Sequence, residues 1–434
     1  MSKSECEANA FSVLQGASIA LPLGSFSLFA LRPFFVIRHW RLVINQMAYV
    51  DQFLQLVVRQ GASDLHIAEG EPPKMRTHGD IMPIRSEAIS HDEATRMLSE
   101  VCGPRNWEYF EQSGDLDFAY QMDEHSRFRT NYFKQSEGYA AAFRLIPTKI
   151  SSLEELGVPK IVKNFAYLRG GLVLVTGPTG SGKTTTQAAL VDFINANFAR
   201  HVVTIEEPIE FVHDNKQSII TQREVPTDSI SFAAALKASL RQDTDIVLVG
   251  EMRDLETIAL ALTAAETGLL VFGTLHTNNA RKTIDRMVDA FPADRQSQAR
   301  AMLANSLRGV VAQLLLKRSD RPGRIAVNEI LIANPAVSAI IREGATHKLQ
   351  DIIVSGRAHG MQFMDDAIWA LLEKGIVSPH EAFMKAIDKS RFKPFLSAEE
   401  EALANAAGGV RNEERRPPGN LSTSLGARPQ VRAR

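Results

Sequence analysis

At 434 residues, with 44 % hydrophobic and 23 % charged side chains, the chain has the composition of an ordinary globular protein long enough for two or three domains. Its net charge of −1 excludes a polybasic nucleic-acid binder or a protein held to lipid by bulk charge, so any anionic ligand has to be captured by a local site. The two cysteines, Cys6 and Cys102, form neither a metal-ligand pair nor a disulfide framework, and their scarcity suits a reducing compartment such as a bacterial cytoplasm.

From Ala8 to Leu31 no residue is charged, a length sufficient to span a bilayer, and Arg32, Arg38 and Arg41 follow. Gly16, Pro22, Gly24 and several serines interrupt the run, and Glu5 and Glu7 offset Lys3 where a secretory signal would be basic. Residues 1–46 are expected to be an extension dispensable to the folded protein, with a membrane-associating segment or a folded element as the alternatives. Met47 then opens an amphipathic helix over 49–60, with Val50, Phe53, Leu54, Val57 and Val58 on one face and Gly61 as its stop. Short strands follow at Leu65–Ile67, at Lys74–Arg76 before a turn at His78-Gly79-Asp80, at Phe128–Phe133 and from Ala140 to Leu145. These predict a small α+β domain over 47–150, and Pro147 with the polar run from Thr148 to Glu155 leads into a linker over 151–165.

Over 166–334 the rhythm becomes one of buried strands separated by helices. The strands are Leu172–Val175, Val202–Ile205, Ile246–Val249, Leu270–Phe272 and Arg324–Val327; helices are expected at 231–241 and at 254–267, the latter between an Asp254 N-cap and Gly268. Such alternation predicts an α/β domain with a parallel sheet covered on both faces, of the RecA-like nucleotide-binding kind. A helical region over 335–396 contains Ala336–Glu343, Lys348–Val354 and Phe363–Leu372. The tail 397–434 carries few large apolar side chains and is expected to be disordered, because ordering costs about 1–2 kcal/mol per residue with little burial to offset it.

Chemistry enters at Gly177-Pro178-Thr179-Gly180-Ser181-Gly182-Lys183-Thr184, a complete G-x-x-x-x-G-K-[ST] phosphate loop between a strand and a helix. Its glycines let backbone N–H groups close around phosphate oxygens, Lys183 reaches the β- and γ-phosphates, and the Thr184 hydroxyl is placed to hold Mg²⁺. Glu251, at the carboxyl end of Ile246–Val249 in Gly250-Glu251-Met252-Arg253-Asp254, is a Walker-B-like carboxylate expected on the Mg²⁺ or water side. Glu206-Glu207-Pro208-Ile209-Glu210 follows another strand at the same sheet end, where three carboxylates repel one another unless a cation or a catalytic role retains them. His276, after Leu270–Phe272, is expected within reach of a γ-phosphate.

This ordered series resembles the Walker A, Asp box, Walker B and His box of the secretion ATPase superfamily, and within it the PilT-like retraction ATPases of type IV pili. The resemblance runs over about residues 48–395 and includes Gly61-Ala62-Ser63-Asp64-Leu65-His66, Leu262–Gly268 and Lys282–Arg286. It implies a RecA-like core with a smaller PAS-like N-terminal α+β domain and a C-terminal helical part. The function it implies is that of a homohexameric ATP- and Mg²⁺-dependent motor, cytoplasmic and peripheral at the inner face of the cytoplasmic membrane. Its expected partners are an inner-membrane platform protein and the pilus machinery; no basic, aromatic-interleaved surface supports nucleic acid as a partner. Carried over by position, Glu210 matches the glutamate that activates water, Glu251 the Walker B glutamate and His276 the His-box histidine, while Arg127, Arg129 and Arg144 are the candidate arginines of the N-terminal domain.

Several positions depart from the family pattern. Glu207 replaces the usual aspartate, Leu269 stands where a second histidine is frequent, and Thr244 replaces a proline, which is expected to loosen a turn. Ala336–Glu343 resembles the retraction helix without its internal arginine and asparagine, a change that bears on coupling to retraction rather than on hydrolysis. The alternatives are an assembly or secretion ATPase, disfavoured by the absence of a CxxC zinc module, and a nucleotide-binding regulator of a neighbouring motor.

Overall fold

The structure, a computed structural model, describes residues 48–77, 80–124, 126–146, 149–398 and 400. The expected extension over 1–46, Pro147 ahead of the linker, the turn residues His78 and Gly79 and nearly all of the tail therefore lie outside the described residues.

The N-terminal elements are α1 (Asp51–Arg59), β1 (Asp64–Ala68), β2 (Lys74–Thr77), β3 (Asp80–Pro83), α2 (His91–Ser113), β4 (Asp115–Asp123), β5 (Ser126–Gln135) and β6 (Gly138–Ile146). The strands form one antiparallel sheet in the order β3-β2-β1-β6-β5-β4. Alternate residues face opposite ways on a strand, so Leu65, Ile67, Met75, Phe128, Tyr132 and Phe143 form a single core with α1 and α2. Val58 lies off the buried face expected of it, at 37 % exposure, because it follows Val57 by a further 100° around the helix. Helix α2 is a long element the sequence reading leaves unassigned. Gly103, at φ +74°, and Pro104 kink it internally, although Ser90 caps its start through Glu93 N and Gly114 ends it in the left-handed region.

The nucleotide-type domain contains β7 (Gly171–Thr176), α3 (Lys183–Asn197), β8 (His201–Glu206), β9 (Ile219–Glu224), α4 (Phe232–Ser239), β10 (Ile246–Val249) and α5 (Leu255–Glu266). It continues through β11 (Leu270–Leu275), α6 (Ala280–Asp289), α7 (Gln296–Ser306), β12 (Leu307–Lys317) and β13 (Arg324–Ile332). The seven strands lie in the order β13-β12-β7-β11-β10-β8-β9. Six run parallel, but β13 pairs antiparallel with β12 across the full hairpin from Gly309↔Ile332 to Lys317↔Arg324, which corrects the expected all-parallel sheet. Strand β12 escapes the sequence reading because α7 passes into it at Ser306-Leu307 with no glycine or proline between them. Thr244, expected to loosen its turn, instead donates its hydroxyl to Ser239 O at 2.9 Å and ties the turn down.

Because β7, β11, β10 and β8 are neighbours in that order and parallel, their carboxyl ends stand side by side at strand spacing, about 4.8 Å apart. The four loops leaving those ends carry the phosphate loop, His276, Glu251 and Glu206–Glu210. Beyond the sheet, α8 (Pro335–Glu343), α9 (Leu349–Ser355), α10 (Met364–Glu373) and α11 (Pro379–Lys385) make up the helical region, each of the first three within a residue of its expected bounds. Asn334 caps α8 through Val337 N and Gly344 closes it in the left-handed region.

Phe272 is fully buried in β11 at the centre of the sheet. Phe272→Ala is expected to lower the unfolding free energy by about 3–5 kcal/mol, read as a fall in the denaturation midpoint by circular dichroism.

Candidate active site

The loop from β7 to α3 turns inward at three glycines. Gly177, Gly180 and Gly182 have φ of +149°, +75° and +82°, and a Cβ on Gly177 would collide with the Gln313 carbonyl. Gly182 is the N-cap of α3 and no side chain caps the helix there, which leaves the first-turn N–H groups and the positive end of the helix dipole for an anion. Lys183 is 9 % exposed and its Nζ donates to Gly177 O at 2.9 Å and Pro178 O at 3.2 Å. Burial lowers its pKa, against the opposing pull of Glu251 and Glu210.

A cavity of about 300 Å³ opens in front of this loop. It is lined by Thr179, Gly180, Lys183 and Thr184, by Glu206, Glu210 and Glu251, and by His276 and Arg129. Glu251 Oε1 is 3.0 Å from His276 Nε2, and its Oε2 accepts from Arg253 Nη2 at 2.7 Å. Burial opposes ionisation of Glu251, yet Arg253 and His276 hold its carboxyl below the ordinary value. Arg253 also reaches Glu207 at 3.3 Å, so the longer arm of Glu207 ends on this guanidinium. Among the described residues no group of three His, Cys, Asp or Glu side chains could hold a metal by itself. Thr184 and Glu251, which line the same cavity, offer hard oxygen donors of the kind magnesium takes alongside waters and substrate oxygens.

Glu206 differs from its neighbours. Loss of solvation pushes its carboxyl up to about 7, although Thr204 donates to it at 2.7 Å and Gln222 at 3.4 Å, and the charge of Glu210 raises it further. Glu210 lies 3.7 Å from Arg129 Nη1. Arg127 donates from Nε to Ile209 O at 3.1 Å and lies 3.7 Å from Glu224, bracing the segment that carries Glu210. Arg144 is not among the cavity-lining residues: it pairs with the buried Asp64 at 2.7 Å and its side chain is 72 % exposed. Of the three candidate arginines, the fold thus brings Arg129 to the cavity, Arg127 to its supporting loop and Arg144 to neither.

Two contributors were not singled out from the sequence. Arg253 is two residues from Glu251 and its role depends on the direction of the turn. Gln313 is a buried carboxamide touching the loop, and its signal was legible as one polar residue inside the apolar run of Val310–Leu316.

The family model for "Type II/IV secretion system protein" matches residues 44–383. The chain belongs to that family. This secretion ATPase is 45 % identical over 337 residues to the type IV pilus retractation ATPase PilT of Pseudomonas aeruginosa, covering 78 % of this chain and 98 % of that protein. It is 48 % identical over 314 residues to a twitching motility protein of Neisseria gonorrhoeae, covering 72 % of this chain and 84 % of that one. A crystal structure of the pilus retraction motor PilT with bound ADP superposes with a TM-score of 0.73 at 39 % identity, over 78 % of this chain and 97 % of the other. The secretion ATPase is PilT-like, a nucleotide-binding enzyme with the RecA-like fold and the flanking domains the resemblance implied. Among its described residues no helix is long and apolar enough to cross a membrane.

The raised Glu206 value carries a stability consequence with a definite sign. Folding favours the protonated form, so the contribution is full below about 4.5 and is lost as the pH rises through about 7. Glu206→Gln removes the titration, and its melting temperature is expected to gain on the parent's as the pH is raised from about 4.5 to 7. A constant difference across that window would contradict this environment for Glu206.

Proposed function

We propose that this ATPase is a motor for type IV pilus retraction, hydrolysing ATP with Mg²⁺ at the cavity in front of Gly177–Thr184. The observation that carries the reading is a match over nearly the whole length of a pilus retraction ATPase, and over most of a twitching motility protein. The loop's free N–H groups and Lys183 bind the phosphates, and Thr184 with Glu251 would hold the metal, which when bound supplies positive charge for the transferred phosphoryl group. Glu210 orients and deprotonates the attacking water. Arg129, 3.7 Å away, pairs with Glu210 at the wall of the cavity. Glu206, with its value near 7, is the neighbouring carboxylate able to take up a proton around neutral pH. His276, 3.0 Å from Glu251, links the metal-side carboxylate to the loop after β11 and senses the γ-phosphate.

The working form in this reading is a homohexamer in the cytoplasm at the inner face of the membrane, acting on a platform protein at the pilus base. Helix α8 bears on coupling. Its Val337, Ile340 and Ile341 are buried, and Ser338 donates to Ala304 O at 2.8 Å. Ala339, on the same helix, is exposed and offers only a methyl group to a partner.

Lys183→Ala is expected to abolish nucleotide binding, measured by calorimetry with ADP. Glu210→Gln is expected to keep binding and lose turnover by about 10²–10⁴-fold, the usual scale for a general base; parent-like turnover would refute its role. In cells, loss of the gene should leave pili present or in excess while twitching stops. Loss of pili would instead favour assembly.

A further inference from the structure

The hairpin of β12 and β13 buries two carboxamides among apolar side chains, with Glu329 buried on the alternate face and Arg308, Lys317 and Arg324 nearer its ends. Gln313 and Asn328 are each 1 % exposed, and they are directly opposite one another across the hairpin. Cross-strand partners share a face, and this one turns toward the phosphate loop and α3. Enclosing an amide without partners is costly, yet every polar atom of Gln313 is engaged. Its Nε2 donates to Ser181 O at 2.7 Å, and its Oε1 accepts from Thr186 Oγ1 at 2.9 Å and Asn328 Nδ2 at 3.0 Å. The donor and acceptor ends are therefore not interchangeable. The amino group must face the loop carbonyl and the oxygen must face the helix.

Contacts at two further loop positions add to this. A Cβ on Gly177 would run into the backbone carbonyl of Gln313, and one on Gly182 would sit 3.0 Å from the side-chain Nε2. The backbone of Gln313 thus closes on the loop near its entry, while its side chain meets Ser181 and the exit at Gly182 and holds the first turn of α3 through Thr186. Asn328 fixes the carboxamide from behind through its Nδ2, and its backbone carbonyl accepts from Gln362 Nε2 at 2.7 Å. Gln362 is in turn locked to β13 by backbone bonds with Ile330 at 2.8 and 3.0 Å.

We infer that Gln313 is a positioning residue for nucleotide binding: it sets the loop in the shape in which its N–H groups converge, and does so without touching the ligand. The inference rests on reading Gly177–Thr184 as the phosphate site. Its effect belongs to binding and not to the chemical step, because Glu210, Glu251 and His276 are on other strands' loops. A merely structural Gln313 would change melting temperature and leave the affinity of the folded protein alone.

The test compares the full chain with Gln313→Met, an apolar side chain of similar length, by ADP calorimetry, steady-state kinetics and thermal melting. Removing the donor leaves the Ser181 carbonyl buried and unpaired, so the Kd for ADP and the KM for ATP should both rise about tenfold, with kcat at saturation held within about threefold. Should Gln313→Met not fold, Thr186→Val releases the helix side of the same strap, and its Kd for ADP should rise by at least about threefold. An ADP Kd within twofold of the parent's in the folded variant, or a loss confined to kcat, overturns the inference. Failure of the phosphate-site reading is separable, since Lys183→Ala would then bind ADP as well as the parent.

Discussion

Negative charge is concentrated at one end of a parallel sheet, and the surrounding structure is arranged to make that tolerable. Glu206, Glu210 and Glu251 line one cavity with a loop built for phosphate. Like charges in a site of reduced dielectric cannot all ionise without compensation. Arg253 and His276 stabilise Glu251, Arg129 faces Glu210, and Glu206 takes the remaining solution by shifting toward its protonated form. The lysine at the centre is buried among backbone carbonyls and feels two of these carboxylates.

The sheet explains why these groups meet. Each chemical segment leaves the carboxyl end of a different strand, and the strand order β7-β11-β10-β8 sets them in neighbouring positions although Lys183 and His276 are 93 positions apart in the chain. Two further elements reach the same cavity from outside that set. The N-terminal sheet sends Arg129 to Glu210 and Arg127 to the Glu210 segment, while the antiparallel hairpin at the far side of β7 supports the loop from below. The hairpin serves both faces of the sheet. Gln313 and Asn328 address the loop, and Glu329, on the alternate face of β13, accepts from Ala280 N at 2.8 Å at the start of the helix that follows the His box. Burial pushes Glu329 up to about 7, a sign of how closely that helix start is enclosed.

Much of the fold and of the site was legible because local sequence carried the information. The four strands whose ends bear chemistry are short apolar runs bounded by turn residues, and the phosphate loop declares itself through glycines that a left-handed backbone requires. The missing elements have specific causes. Helix α2 hides behind Gly103-Pro104, β12 follows α7 without a break, and β13 looks like another parallel strand because strand direction leaves no trace in composition. Gln313 stands out only once the strand around it is known to be buried.

By itself, the amino-acid sequence determined that phosphate is bound, that carboxylates and a histidine follow at strand ends, and which family supplies that order. These properties depend on residue type and on near-neighbour spacing. Tertiary structure decided which arginine reaches the cavity, which glutamate holds a proton near neutrality and which buried amide supports the loop. Arg129 and Arg144 are register partners on adjacent strands, indistinguishable by type, yet one meets Glu210 and the other meets Asp64. Such differences depend on distances between segments remote in sequence and on the water each group loses, and packing alone sets both.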